Sequence, residues 1–301
     1  MCINNKVIPE ERNIFAARMS DQDGGKIFSA IIAGMAAIRR TGRTRHFRAR
    51  VSRPARPRER MCTVVILIRP GHPWPVMLAA NRDERIDRQW DPPSAWWPDR
   101  PGVIAGRDRT AGGTWMGINS HGLVACVLNR SGTLGPAAGK HSRGELPLMA
   151  LEHRTAADAA AALAKLDAGL WRGFNLVLAD RHGVVFVRGA GHGHPQPVAL
   201  APGVSMVTAH DPNDPGSPRV ARHLARFQAA ERPLPEAWEG WRTILSDLSG
   251  PAGAQMNVTP RGGFGTVCSS MVALPEVGAP LWLFAPGPPH DTAFRPLALP
   301  G

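Results

Sequence analysis

Met61-Cys62-Thr63-Val64-Val65-Ile66-Leu67-Ile68 is a β-branched run closed by Arg69-Pro70-Gly71, and it reads as a buried strand followed by a turn. A second short strand, Pro75 to Ala80, leads into Asn81-Arg82-Asp83-Glu84-Arg85, so that charged residues crowd the end of an apolar strand. Further strands are expected at Thr114 to Asn119 and Gly122 to Asn129, joined by Ser120-His121. Another pair, Phe174 to Ala179 and Gly183 to Arg188, surrounds Asp180-Arg181-His182-Gly183. These pairs read as antiparallel hairpins. Helical signals fall between them: Ser142-Arg143-Gly144-Glu145 has the spacing of a capping box, and Thr155-Ala156-Ala157-Asp158 opens an Ala/Leu-rich run to Ala168. Two more helices are expected at 217–230 and 236–248. Strands return at Gly265 to Leu274 and Pro280 to Ala285. Hairpins interleaved with pairs of helices predict an α+β domain in which helices cover antiparallel sheets.

The sixty residues before this run have a different texture. Residues 1–26 are polar and aperiodic, 27–38 form a short Ala/Ile run, and ten arginines fall between Arg39 and Arg60 with Glu59 as the only acid. Of the net charge of +12, this segment carries +9 (14 Lys and Arg against 5 Asp and Glu), so residues 61–301 are close to neutral. Residues 1–60 are therefore expected to be a disordered basic extension, or to precede the true translation start at Met61, and 61–301 a single domain. Nucleic-acid binding through the arginine arm finds no basic complement in the body of the chain. The hydrophobic content of 43% suits a globular chain, and the longest apolar stretch, about twelve residues, is shorter than the roughly 18 to 20 needed to span a bilayer. Acidic residues precede the Ala/Ile run and arginines follow it, the reverse of a secretory signal. Four cysteines with no CxxC pair suggest a reducing, cytoplasmic location rather than a disulfide scaffold or a zinc site.

Initiation at Met61 gives the chemistry its starting point. Aminopeptidase removal of Met before the small Cys62 would leave that cysteine with a free α-amine beside its thiol. An α-amine has a reference pKa of roughly 7.7 to 8.0, so it can accept the thiol proton near neutral pH without a histidine. One residue then supplies both nucleophile and base. The plainer reading is a chance Met-Cys dipeptide with Cys62 buried in its strand, and Met1-Cys2 shows how little the dipeptide means alone. Context separates the two, because Cys2 precedes polar residues while Cys62 begins a rigid strand. Arg82 and Asp83, at the end of the neighbouring strand, are placed near this terminus. The guanidinium would favour the thiolate, and the carboxylate would hold the amine.

The ordered series Met61-Cys62-Thr63, Asn81-Arg82-Asp83-Glu84, Gly112-Gly113-Thr114-Trp115-Met116-Gly117, Gly122-Leu123-Val124-Ala125 with Leu128-Asn129-Arg130, and Ser142-Arg143-Gly144-Glu145-Leu146 resembles the NRDE family, also called the transport and Golgi organisation protein 2 family. The resemblance implies a four-layer αββα sandwich of the N-terminal nucleophile hydrolase type, and links to Golgi organisation, mitochondrial metabolism and haem or lipid handling. The opening is also similar to that of the cysteine amidases, penicillin V acylases and bile salt hydrolases. By that resemblance Asn129 takes the role of oxyanion donor, worth roughly 2.7 to 4 kcal/mol in such enzymes. Arg219, in Ser217-Pro218-Arg219, matches their late active-site arginine. Arg82 and Asp83 match in type but are adjacent here, whereas those enzymes space them apart. Val207-Thr208-Ala209-His210-Asp211-Pro212 stands where they carry Thr-Asn and Pro, so that an Asn is missing and His210 lies nearby.

The candidate catalytic set is thus Cys62, Arg82, Asp83, Asn129 and Arg219, with no metal and no resident cofactor expected. The expected partner is a small-molecule amide, ester or hydrophobic ligand. A competing reading is a carrier that binds haem or an acyl-lipid in the same pocket, with Cys62, Met206 or His210 as the available axial-ligand types. His192 and His194 read as a turn rather than a metal site, and Cys126 and Cys268 as core thiols. Trp90, Trp96, Trp97 and Trp115 suit either a pocket wall or a core.

Overall fold

The computed structural model describes residues 62–299. The expected basic extension, the Ala/Ile run 27–38, Met1-Cys2 and Met61 lie outside the described residues. Strand β1 (Thr63–Ile68) is buried at all six positions. It pairs antiparallel with β2 (Val76–Arg85) on one side and β10 (Gly203–Val207) on the other. Outward from β2 follow β11 (Phe264–Leu274), β12 (Leu281–Ala285) and β13 (Arg295–Pro296), completing a six-stranded sheet. The second sheet has seven strands in sequence order: β3 (Trp90–Ser94), β4 (Ile104–Asp108), β5 (Met116–Ile118), β6 (Val124–Asn129), β7 (Phe174–Asp180), β8 (Gly183–Gly189) and β9 (Gln196–Ala199).

Strand parity assigns the layers. Alternate residues of a strand point to opposite faces. Val64, Ile66 and Ile68 join Leu78, Cys126, Val177 and Phe186 in a core between the two sheets. Val65 and Leu67 face the other way, into a second core with Val220 and Phe227 of α3 (Pro218–Ala229) and Trp241 and Leu245 of α4 (Glu239–Leu245). The seven-stranded sheet turns Ala125, Leu176 and Leu178 toward α1 (Glu145–Ala150) and α2 (Ala156–Leu163), forming a third core. Helices therefore cover the outer face of each sheet, in the expected αββα sandwich. Each fully buried Val, Leu or Ile contributes about 1.5–3 kcal/mol, so a strand buried on both faces anchors two cores at once.

Several boundaries differ from expectation for identifiable reasons. Strand β2 does not end at Ala80 but runs on to Arg85, because β11 stays paired with it as far as Phe264 opposite Arg85. At α1 the expected capping box does not form. Gly144 occupies the N-cap, and Ser142 Oγ instead accepts from the Gly144 N–H at 3.2 Å. The cause is a close crossing, since Gly144 C=O accepts from Thr114 N–H at 2.9 Å. A Cβ on Gly113 would lie 2.4 Å from the Gly144 carbonyl carbon. Helix α2 is capped by Thr155, whose hydroxyl accepts from Asp158 N–H at 3.1 Å, as its sequence predicts. It ends at Leu163 rather than Ala168, where a separate 3-10 turn capped by Asp167 begins.

Candidate active site

Extending β2 through Asn81-Arg82-Asp83-Glu84 splits those residues between two faces. Asn81 and Asp83 share the parity of Met77 and Ala79 and face the helix layer. Asn81 Nδ2 donates to the carbonyls of Leu245 at 3.0 Å and Met256 at 2.9 Å. Its Oδ1 accepts from Ser269 Oγ at 2.6 Å. Asp83 is fully enclosed: its Oδ2 takes Arg219 Nη1 at 2.8 Å and its Oδ1 takes the Thr266 hydroxyl at 2.6 Å. The same Arg219 Nη1 lies 2.7 Å from Thr63 Oγ1. Arg219 thus ties the first turn of α3 to both β1 and β2, on the sheet face opposite the thiol. Burial pushes the Asp83 carboxyl up, and the Arg219 guanidinium and the Thr266 hydroxyl oppose that push.

Arg82 and Glu84 point between the sheets, on the side of Cys62. There a cleft of about 540 Å³ opens, lined by Cys62, Arg82, Glu84, Trp115, Asn129 and Arg143 among others. The Arg82 guanidinium lies 4.1 Å from the Trp115 ring centre and 5.9 Å from that of Trp90. It approaches Asp108 at 3.7 Å and Glu84 at 3.8 Å. Such stacking on an indole in a desolvated setting is worth ~2 kcal/mol. Trp115 can lie flat only because residue 106 is glycine, where a Cβ would sit 2.3 Å from the indole. Of the four tryptophans singled out in the sequence, Trp90 and Trp115 flank Arg82, Trp96 stacks under Arg107, and Trp97 packs against the third core.

Cys62 stands at the start of β1, partly exposed, with its thiol donating to the Asp83 carbonyl at 3.5 Å. Burial pushes this thiol up to about 12, and the Asp83 and Glu84 carboxylates add to the push. The Asp83 carbonyl contact and the Arg82 charge pull the other way, Arg82 being the weakest of these influences. With a peptide bond to Met61, this is a protonated, unreactive thiol at neutral pH. Asn129, at the end of β6, lines the same cleft. Arg219 does not line it. Cys126 of β6 and Cys268 of β11 meet Cys62 around a small void of about 20 Å³, and burial raises both thiols, Cys268 to about 12.

The haem-ligand types do not converge. Met206 is in the second core, and neither it nor His210 lines the cleft, leaving Cys62. His210 Nδ1 lies 3.3 Å from Asp214, and its carbonyl accepts from Asn175 Nδ2 at 2.7 Å. Asn175, which sequence reasoning passed over, also donates to Thr208 C=O at 2.8 Å and so fixes the segment where the amidase pattern departs. His194 Nδ1 sits 2.9 Å from the Leu166 carbonyl in its turn.

The sequence pattern described as Transport and Golgi organisation 2 matches residues 61–234, more than half of the chain. The chain belongs to that family. Its match begins where the described fold begins and takes in the cleft residues named above from Cys62 to Arg143. Family relatives include the Transport and Golgi organization protein 2 homolog of Bos taurus, 36% identical over 138 residues, and that of Homo sapiens, 33% identical over 139. Each alignment covers 42% of this chain and 48% of the relative, so the chain spans about half the length of the curated relatives it matches. Among solved structures, the fold is similar to a Caenorhabditis elegans ortholog of N-acylethanolamine-hydrolyzing acid amidase (TM-score 0.50, 12% identity, 70% of this chain and 92% of that one). Penicillin V acylase from Agrobacterium tumefaciens is also similar (TM-score 0.45, 18% identity, 75% and 83%). The described residues of this chain thus share the fold of the acid amidase ortholog. Among the described residues, no helix is long and apolar enough to cross a membrane.

Proposed function

We propose that this member of the family is a hydrolase of a linear amide or ester, with Cys62 as nucleophile once the chain is cut before it. The observation that carries the reading is that Cys62 and Asn129, from different sheets, face one cleft. In the cut chain the α-amine of Cys62, with a reference pKa of ~8, accepts the thiol proton. The thiolate sulfur attacks the substrate carbonyl, forming a C–S bond, while the Asn129 side-chain amide donates to the oxyanion. Collapse breaks the carbon–nitrogen or carbon–oxygen bond, the ammonium returns its proton to the leaving group, and water then hydrolyses the thioester. Arg82 supplies positive charge beside the thiolate. Asp83 and Arg219 act from the far face of the sheet and hold β1 against β2 through Thr63. They are positioning residues.

The reading requires the cut, because burial and two carboxylates push the thiol up to about 12 while the preceding peptide bond is intact. The acid amidase that shares the fold is named for hydrolysing N-acylethanolamines, which makes N-acyl amides the first substrates to try. The test is turnover of an N-acyl amide and p-nitrophenyl ester panel by chain beginning at Cys62, by the full chain, and by Cys62→Ala. The expected result is turnover by the first alone, with Asn129→Ala slowing it roughly 100-fold or more. Equal rates for the cut protein and Cys62→Ala would overturn the reading.

A further inference from the structure

The cleft is electrostatically lopsided. Six cationic side chains line it (Arg82, Arg85, Arg88, Lys140, Arg143 and Arg172) against two carboxylates, Glu84 and Asp108. On the β2 wall the charges are paired: Arg88 with Asp108 at 2.6 Å, Arg85 with Asp87, and Arg82 near both lining carboxylates. On the opposite wall they are not. Among the described residues, Arg143 and Arg172 have no carboxylate within salt-bridge distance and bond almost wholly to backbone carbonyls. Arg143 Nη1 donates to the carbonyls of Thr133 at 2.8 Å and Gly173 at 3.1 Å and to the Thr133 hydroxyl, and Nη2 reaches Gly135 C=O at 3.3 Å. Arg172 reaches the carbonyls of Leu134 at 2.7 Å, Pro136 at 3.2 Å and Gly132 at 3.2 Å.

Carbonyls orient a guanidinium without neutralising it. Two arginines are thus clamped side by side around one loop with no carboxylate in direct contact, and burial together with Arg172 lowers Arg143 to about 10 while the more distant Glu84 pulls the other way. Each keeps its Nε–H out of these bonds, a donor available to a ligand. Arg82 lines both this cleft and the small void beside Cys268; it is 6% exposed, and among the described residues its buried Nη1 has no hydrogen-bond partner.

We propose that the cleft recognises its ligand by an acidic head group, a carboxylate or a phosphate, which pairs with Arg143 and Arg172 while the rest of the molecule extends past Trp115 toward Cys62. The proposal deepens the hydrolase reading by naming the substrate class, an N-acyl or ester compound bearing an acid. Fork-shaped guanidiniums suit a planar carboxylate or a phosphate through paired N–H donors.

The test reads anion recognition without requiring turnover, so its failure is separable from failure of the hydrolase reading. In full-length protein at pH 9, where even a thiol pushed up to about 12 keeps a small thiolate fraction, Cys62 is alkylated slowly with iodoacetate and with iodoacetamide, two reagents of the same chemistry that differ in charge. The ratio of the two rates cancels the thiolate fraction. Peptide mass spectrometry follows Cys62, with N-acetylcysteine amide as the neutral reference thiol. The expected ratio at Cys62 exceeds that of the reference tenfold or more, and inorganic phosphate suppresses the iodoacetate rate more than the iodoacetamide rate. Arg143→Gln and Arg172→Gln each bring the ratio down toward the reference, while Arg143→Lys retains most of it. Should Arg143 variants fail to fold, the wild-type ratio and the Arg172→Gln protein decide. A wild-type ratio equal to that of the reference, or phosphate slowing both reagents alike, would overturn the proposal.

Discussion

Neighbouring residues on a strand point to opposite faces, and in Asn81-Arg82-Asp83-Glu84 this parity gives one tetrapeptide two tasks. Arg82 and Glu84 dress the cleft, while Asn81 and Asp83 hold the helix layer. Removing the Asp83 charge leaves Arg219 buried without its partner, so Asp83→Asn is expected to cost about 3–5 kcal/mol of stability in urea unfolding, typical of a broken buried pair. A loss under 1 kcal/mol would show that Thr63 and Thr266 suffice. Cys62 and Cys268 are held at about 12 in the fold against an ordinary value of 9.0. The folded state retains protons that the unfolded state releases, so stability falls as pH rises from 9 toward 12. The slope is about 1.4 kcal/mol per pH unit for each thiol. His223 has the opposite sign. Burial lowers it from 6.5 to about 4, its Nε2–H donating to the Ala254 carbonyl at 2.7 Å. Its contribution is present above pH 6.5 and is lost as pH falls to 4, because the unfolded chain binds the proton first. Thermal melts across both windows check the two signs, and His223→Gln should flatten the acid limb.

At the scale of elements, the buried run of β1, the hairpins, α3, and the strands β11 and β12 were legible because each had a clear period or an uninterrupted apolar run. The far half of β2 was not, since charged residues read as a strand end when no burial compensates them. The compensation comes from β11, α3 and α4, more than a hundred residues away in sequence. Edge strands β3, with its two prolines, and β9, exposed throughout, carry too little apolar pattern to be seen, as edges commonly do. Of the site, Cys62, Arg82 and Asp83 are read from the sequence and Asn129 and Arg219 from the resemblance, but the division of Arg82 and Asp83 between the two faces of a sheet emerges only from register. Arg143 lies within Ser142-Arg143-Gly144-Glu145 with no task legible from the sequence, because nothing local reveals that Gly113 and Gly144 cross and carry it into the cleft. Gly113→Ala should therefore cost about 1–3 kcal/mol by steric conflict with Gly144. It should also lower the iodoacetate preference of Cys62. Unfolding titration and the alkylation ratio measure the two effects, and an unchanged midpoint would mean that the crossing gives way.

On the scale of the whole molecule, the described residues 62–299 build three cores, and the sequence of residues 1–60 offers no periodic apolar face to add to them. Chain beginning at Met61 should accordingly melt within about 2 °C of the full chain, a shift below that of a 1 kcal/mol change in a domain of this size. It should also lose nine of the twelve net positive charges. A large drop in melting temperature would show that the preceding segment packs on the domain. The account rests on a free α-amine at Cys62, since the thiol next to an intact peptide bond is held at about 12. Mass spectrometry of the N-terminal peptide of protein isolated from its native cells tests this directly. The predicted peptide begins at Cys62, and it gains an acyl group when the protein is quenched during exposure to an activated ester. Protein that retains residues 1–60 in full while turning over substrate would contradict it.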